Sequence, residues 1–591
     1  MDIFSKIKNK TPSWINLPVI FVLIYFVIAS IYITYPLLLH MSDNISGLGD
    51  QLYINWILNW NIYSFTHDMA NILNTNIFYP YHNTLAYSDI YITMSIISFL
   101  PTKIIGQPAV AYNFAVLFSF ITLGFFTYLL CLYITKNHFA SIAGGTLMAF
   151  STYTLMEIEH LQIISMGWVS LSVLYFLKFL DKRSYKYLAF SCLFFVFQIY
   201  NSFLPAYFIV FSCLIITILY FLKRKISVKD INIKKIFLIL GFTILISIPV
   251  IIPYYSVSNQ FNYVRDIRES IRFANRPEYT FYPGDRTKLY SFLINTFYKD
   301  NKGPYLYDGY IGLAFLVLSL FSIINRIISK KKNWFLFDTF LIAAVFGFIL
   351  SLGPALQWGG RVIKLPFIIP LPYALFYFIF PGFKGFRDSS RWEMLFIFTF
   401  VVCISIFLSN FYKNKSNLKI YLLTLLIIFT VLFEFNFPFV NFKIPLKEQF
   451  PKMYSYIKTL PKNAVIAQLP IYNWDTFLSG PYPENIREYY YTLTFPKTIN
   501  GTAGFDPPPW QNNIRFLIVN FPNDSSISLL QKMSVQYLVV HKSEYDSIAG
   551  KKDIVDKKVF VNGDKIINAL QLNKNLKLIH IVENDYVYKI N

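Results

Sequence analysis

Charge is what this sequence has least of. Aspartate, glutamate, lysine and arginine make up 14% of its 591 residues, where soluble globular proteins carry roughly a quarter. The shortage excludes an ordinary cytosolic enzyme, and it excludes a disordered chain, which needs many charges and few apolar residues. Cysteine is nearly missing too. Cys131, Cys192, Cys213 and Cys403 each fall inside an apolar run, where a thiol acts as a small hydrophobe, so there is neither a disulfide framework nor a zinc pattern. The 7 histidines show no paired ligand spacing, and no HExxH or P-loop pattern occurs. A metalloprotease and an ATPase are thereby disfavoured.

Apolar length is what the chain has in abundance. Hydrophobic residues reach 55%, in runs of about 20 residues that match the thickness of a bilayer core. The chain reads as a polytopic α-helical membrane protein. Runs near 17–39, 108–134, 139–155, 162–180, 187–200, 204–222, 236–255, 309–328, 334–353, 392–410 and 420–437 predict about 11 transmembrane helices. The first follows Lys6, Lys8 and Lys10, exceeds a signal-peptide core and lacks a small-x-small cleavage site, so it is expected to stay as an anchor. A net charge of +21 suggests nucleic acid at first sight, yet the lysines and arginines sit mostly in short turns between apolar runs. That is the positive-inside pattern, and no nucleic acid is expected as a partner.

With a cytoplasmic N-terminus, the turns at Lys136, Lys182 to Lys186, Lys223 to Lys235, Lys330 to Lys332 and Lys413 to Lys419 all fall inside. The exterior then receives 40–107, the turn Glu157 to Gln162, the loops 256–308 and 354–391, and the C-terminal tail. From 439 to 591 charges rise and long apolar runs vanish. Short strand-like runs at Ala464 to Leu469, Tyr537 to His541, Leu576 to Val582 and Tyr586 to Ile590 predict a small exterior α/β domain behind a transmembrane domain at 1–438.

Candidate chemistry sits in the exterior segments. Asp50 opens an expected interfacial amphipathic helix whose face is Leu52, Tyr53, Trp56, Ile57, Trp60 and Tyr63. It reads either as that helix's N-cap or as a general base aimed at an acceptor hydroxyl. Glu157, Glu159, His160 and Gln162 crowd a connector between two spans, where ionisable groups are costly and usually functional. With Asp50 they suit a divalent cation (Mg or Mn) or a sugar, although no DxD spacing is present; a solvated turn is the alternative. Arg265, Arg268, Arg272 and Arg276 are spaced three, four and four apart, so one helix would place them on one face. Guanidinium groups at a membrane surface suit phosphate, and they equally suit anionic headgroups or ion pairs. Lys384, Arg387 and Arg391 close an apolar loop at the entry to a span, suited to a lipid phosphate or to interfacial snorkelling.

Gly49-Asp50 with Trp56 and Trp60, Asn76 to Pro80, Asn83 to Ser88, Glu159 to Gln162, Pro381-Gly382-Phe383 through Arg391, Asn500 to Phe505 and Tyr537 to His541 are spread over most of the chain. In these the sequence resembles the GT-C superfamily of membrane glycosyltransferases, and more closely a poorly characterised bacterial multi-spanning group assigned to it. The resemblance implies inverting transfer of a sugar from a polyprenyl-phosphate donor to a glycan, lipid or protein acceptor on the exterior face of the cell membrane. It implies that Asp50 carries the role of the first-loop acid, although the adjacent acidic residue common in the family is absent, with Gly49 and Gln51 as neighbours. Catalytic candidates are then Asp50, Glu157, Glu159 and His160. Substrate-binding candidates are the six arginines, Lys384, Gln162 and Asn500, the last in a small-residue loop suited to stacking on a sugar or to a structural turn. A flippase for lipid-linked saccharides and a non-catalytic envelope assembly protein remain as alternatives.

Overall fold

The computed structural model describes residues 17–226, 231–281, 309–329, 334–364, 366–434, 441–473 and 482–591. Lys6, Lys8, Lys10, Lys330 to Lys332 and most of the loop 256–308 lie outside them. Six helices among the described residues are long and apolar enough to cross a membrane: Ala109–Thr135, Leu161–Lys182, Phe203–Leu222, Ile233–Phe261, Ser390–Tyr412 and Asn417–Glu434. Five further apolar helices of 14 to 17 residues are shorter. In Ile233–Phe261 and Asn417–Glu434 only 22% of the apolar window is buried inside the protein, which leaves the rest for lipid. The chain is a membrane protein.

In chain order, the helices that bear on function are α1 (Asp50–His67), α2 (Ala109–Thr135), α3 (Gly167–Lys182), α4 (Phe203–Leu222), α5 (Ile267–Arg272), α6 (Phe335–Ser351), α7 (Glu393–Tyr412) and α8 (Tyr482–Tyr491). Compactness divides the chain otherwise than composition does. One unit comprises Met1–Leu38, Val116–Ser247 and Val264–Phe439; the other comprises Leu39–Ala115, Ile248–Tyr263 and Val440–Asn591. The first long loop therefore belongs with the tail.

The first unit is helical. Its centre is the pair α6 and α7, which approach closely because Gly347 has no side chain: a Cβ there would stand 2.7 Å from the Phe396 backbone nitrogen. α7 is buried along most of its length, as expected of a helix surrounded by others.

The second unit is built on a five-stranded sheet. Its strands are β1 (Val465–Leu469), β2 (Lys497–Thr498), β3 (Tyr537–His541), β4 (Leu576–Val582) and β5 (Asp585–Ile590), in the order β2-β1-β3-β5-β4. β1 lies parallel to β2 and β3, while β5 runs antiparallel to both β3 and β4. The inner strand β1 is buried at every position, as befits a strand covered on both faces. β2 would leave an open edge, and residues 76–79 of the first loop cover it. Thr498 N donates to Asn76 O at 2.8 Å, Tyr79 N to Thr498 O at 3.0 Å and Phe78 N to Asn500 O at 3.1 Å. Main-chain pairing thus binds the loop to the tail.

α1 differs from the amphipathic interfacial helix expected of it, because its polar stripe is buried with its apolar one. Asn59 Nδ2 donates to Pro108 O at 2.9 Å and Asn61 Nδ2 to Ile90 O at 2.8 Å, so the asparagines tether the surrounding loop instead of facing water. α8 packs along α1 within the same unit.

Candidate active site

In the first unit the turn after residue 156 and the entry to α7 come together. Glu157 is 6% exposed, and its Oε2 lies 2.8 Å from His160 Nδ1. Burial pushes its carboxyl up, but His160, Arg391 and the Tyr153 hydroxyl outweigh that and hold it below the usual carboxylate range. Tyr153 also donates to Ser390 O at 3.2 Å, and Arg391 Nε sits 3.3 Å from Asp388 Oδ2. Asp388 in turn accepts from the backbone and hydroxyl of Ser390. The sequence-derived residues Glu157, His160 and Arg391 therefore share one cluster. Glu159 does not join it and is exposed, because the 3-10 turn Glu157–Glu159 points alternate side chains apart. Gln162 is buried on the following turn.

The four-arginine stripe needs correction. The helix α5 ends at Arg272, so Arg265 and Arg276 lie outside it and no single helical face carries all four. Asn275 N is drawn to Ser351 O at 2.9 Å, and Pro277 disfavours helical geometry at Arg276. Arg265 pairs with Glu269 at 3.5 Å and Arg276 bonds to the Tyr279 hydroxyl, while Arg268 is exposed. What replaces the stripe is a junction of two distant segments. Arg272 and Arg387 lie 5.6 and 5.1 Å from the same Phe273 ring, and Arg265 N donates to Lys384 O at 2.9 Å. The loop after Tyr263 and the loop before α7 thus bring their cations to one place, with the Lys384 side chain exposed. Beside them Asn275 Nδ2 bonds to the fully buried Glu393, a contact that spacing in the sequence does not announce.

In the second unit Asp50 is the first residue of α1. Gly49 occupies the cap position and makes no side-chain cap bond, so the N-cap role expected for Asp50 is not the one it has. Its carboxylate is exposed at the positive end of the helix. One turn on, Tyr53 is pushed well above the ordinary phenol range by burial and then by Glu488, with Asp506 and Asp50 adding. Glu488, on α8, is fully buried. Thr502 N donates to its Oε1 at 2.8 Å, and its Oε2 has no hydrogen-bond partner among the described residues. Burial first, and then Glu484 and Asp506, raise it well above the usual range and favour the neutral acid. Sequence reasoning missed this group; the run Glu484, Arg487, Glu488 on an otherwise tyrosine-rich helix was the available signal.

Asn500 is wholly enclosed. Its Oδ1 accepts from Gln468 N at 2.8 Å and its Nδ2 donates to Gln468 O at 2.9 Å, so it holds β1 to the loop that follows β2. Next to it, a Cβ on Gly501 would stand 3.0 Å from both Ile77 and the Phe78 ring. The motif segments 76–88 and 500–505 are thus one packed junction, completed by Phe78 on Trp510 and Tyr87 on Phe505.

The implied divalent cation does not fit these donors. Among the described residues no three His, Cys, Asp or Glu side chains gather to hold a metal ion, and Glu157 is already engaged by an imidazole and influenced by a guanidinium.

The family described as "Domain of unknown function (DUF6311)" matches residues 21–431, well over half of the chain. The chain belongs to the DUF6311 family. No curated protein matches it by sequence. Among solved structures it is similar to the arabinofuranosyltransferase AftD from Mycobacteria, with 10% identity, a TM-score of 0.52 and coverage of 96% of this chain and 41% of that one. It also matches ArnT from Cupriavidus metallidurans bound to undecaprenyl phosphate, with 10% identity, a TM-score of 0.45 and coverage of 96% and 97%. A third match is the Archaeoglobus fulgidus oligosaccharyltransferase in complex with Zn and sulfate, with 11% identity, a TM-score of 0.43 and coverage of 89% and 68%. The chain spans less than half the length of AftD. The likeness to AftD gives this DUF6311 member a GT-C-like fold.

Proposed function

We propose that this chain is a membrane glycosyltransferase that moves a sugar from a polyprenyl-phosphate donor to an acceptor on the exterior face, with inversion. The observation that carries the reading is the junction of Arg272 and Arg387 on one phenylalanine beside Arg391, in a membrane protein with the fold of a sugar transferase. Guanidinium groups brought together from loops 115 residues apart suit a phosphate, and a donor that cannot leave the bilayer presents its phosphate at the membrane surface.

The acceptor hydroxyl oxygen attacks the anomeric carbon as the bond from that carbon to the phosphate oxygen breaks. The bonding pair leaves with the polyprenyl phosphate, whose charge falls to Arg272, Arg387 and Arg391. A carboxylate base must take the hydroxyl proton, and the first-loop acid Asp50, exposed at the start of α1, is the residue that the GT-C resemblance offers for that role. Glu157 and His160 act as positioning residues through Arg391. No step is assigned to a metal.

The test compares purified wild type with Asp50→Asn on a panel of radiolabelled polyprenyl-phosphate sugars, with a membrane extract as acceptor. Release of label by wild type, and its loss by about 100-fold or more in a folded variant, is the expected result. Binding of donor by both proteins without consumption would replace the transferase with a carrier of lipid-linked saccharides.

A further inference from the structure

The first unit also holds a cavity of about 480 Å³ that takes no part in the chemistry above. It opens where α2, α3, α4 and α7 end and α6 begins, on the face that carries the basic turns. Arg183, Lys225 and Lys413 line it with one carboxylate, Asp181. An adjoining cavity of about 290 Å³ shares Asp181 and Tyr220 and adds Lys136.

Among the described residues these four cations are not used as ion pairs. Arg183 Nη2 donates to Lys225 O at 3.0 Å and Lys413 Nζ to Asn410 Oδ1 at 2.9 Å. Lys136 lies over Tyr133 and Lys225 over Phe335, at 4.3 and 5.7 Å from the ring centroids. Among the described residues none of the four has a carboxylate within ion-pair distance. Asp181 is occupied otherwise: its oxygens accept from Tyr133 at 2.6 Å and Tyr220 at 3.5 Å.

Helix dipoles oppose an anion here, since four helices present their C-terminal ends. At about half a charge each, those ends together with Asp181, and set against the single N-terminus of α6, still leave the four cations about one and a half units in excess. Positive-inside bias explains cations on this face, but not the convergence of three of them on one concavity with the fourth on the cavity beside it. Leu180, Leu336, Phe337 and Ile406 supply an apolar wall to the same space. A purely hydrophilic anion would leave that wall unused, and the volume lies within the about 300–1,000 Å³ common to small-molecule sites.

We propose that this cavity binds a phosphate group carried on an apolar body, with Arg183, Lys225 and Lys413 on the phosphate and the apolar wall against the remainder. The phosphate comes either from an anionic phospholipid of the adjacent leaflet or from a soluble phosphorylated molecule. The site is independent of the glycosyl-transfer reading, since none of its residues belongs to the candidate active site.

The test is native mass spectrometry of the full chain, delipidated in detergent and titrated with phosphatidylglycerol or phosphatidylcholine of the same acyl chains. Wild type is expected to retain phosphatidylglycerol about tenfold more tightly, as two or three charge-assisted contacts imply. Arg183→Gln combined with Lys413→Gln is expected to abolish the preference, and Lys413→Arg to keep it. Displacement of the lipid by glycerol 3-phosphate assigns the site to a soluble phosphate; retention in its presence assigns it to the lipid. Equal binding of the two lipids by wild type overturns the proposal, as does an undiminished preference in the double variant. Should that variant not fold, Lys225→Gln alone is expected to cut the preference severalfold, and an unchanged value overturns the proposal equally.

Discussion

Arg487→Met tests whether the second unit rests on its buried charges. Arg487 is 3% exposed; it donates to Glu484 at 2.7 Å, to Pro470 O at 2.8 Å and to Glu544 at 2.6 Å. Glu544 is about a third exposed, so water can take over its share. Glu484 is fully buried and would be stranded. Breaking a buried pair on one side costs about 3–5 kcal/mol. Tyr472 N and Asn500 Nδ2 still donate to Glu484, at 3.2 and 3.3 Å, which places the loss at the lower end, about 3 kcal/mol. For a unit of this size that is a fall of about 6–12 °C in its unfolding transition. The assay is scanning calorimetry in detergent, with hydrogen exchange at 465–469 to assign the transition to β1.

Glu484→Gln added to Arg487→Met removes the stranded charge and is expected to restore at least half the loss. The pH dependence has a definite sign. Burial raises Glu484 above the ordinary carboxyl range even with Arg487 beside it, and losing the guanidinium raises it further. The folded variant then binds a proton that the unfolded chain releases above about pH 4.5, so its deficit shrinks as pH falls and widens as pH rises through the raised value. A transition that stays at the wild-type temperature, or a double variant as unstable as the single one, would refute the reasoning.

Gly501→Ala forces a methyl into the 3.0 Å space beside Ile77 and Phe78 and is expected to cost about 1–3 kcal/mol, read as faster hydrogen exchange at 76–79. Glu157→Gln should lose stability that wild type has above about pH 4.5 and loses as pH falls through its lowered folded value; the two proteins should converge only in acid, as their melting curves at stepped pH will show. Arg387→Gln is expected to raise the KM for a polyprenyl-phosphate sugar about tenfold or more with little change in melting, because the side chain is exposed and its contact to Phe273 is a stacking one.

Legibility followed the type of interaction. The runs around β1, β3, β4 and β5 could be read because short apolar stretches between turn residues have few other uses. β2 could not: it is two residues long and exists because Ile466 pairs with Thr498 and Asn76 closes its outer side. Glu157 and His160 were legible as costly ions beside spans and Arg391 as a cation at a span entry, but nothing in the spacing says that they meet. The arginine stripe fails because a three-and-four spacing says nothing about where a helix starts or stops, and this one runs only from Ile267 to Arg272. The burial of α1 was equally hidden, since asparagines that bond to loop carbonyls look in sequence like asparagines that face water. Glu488 escaped because its significance lies in packing against α1, which no local pattern encodes.

The main-chain pairing of residues 76–79 with Thr498 and Asn500 also sets an order of events at the ribosome. Some 420 residues separate the partners along the chain, so at about 5–20 residues per second the first segment emerges roughly 20–80 s before anything can pair with it. Throughout that interval most of the apolar helices are being inserted, while the backbone groups of residues 76–79 stay open to water or to a holding factor. A nascent chain released before Asn500 would therefore have its apolar helices made and this junction still unmade.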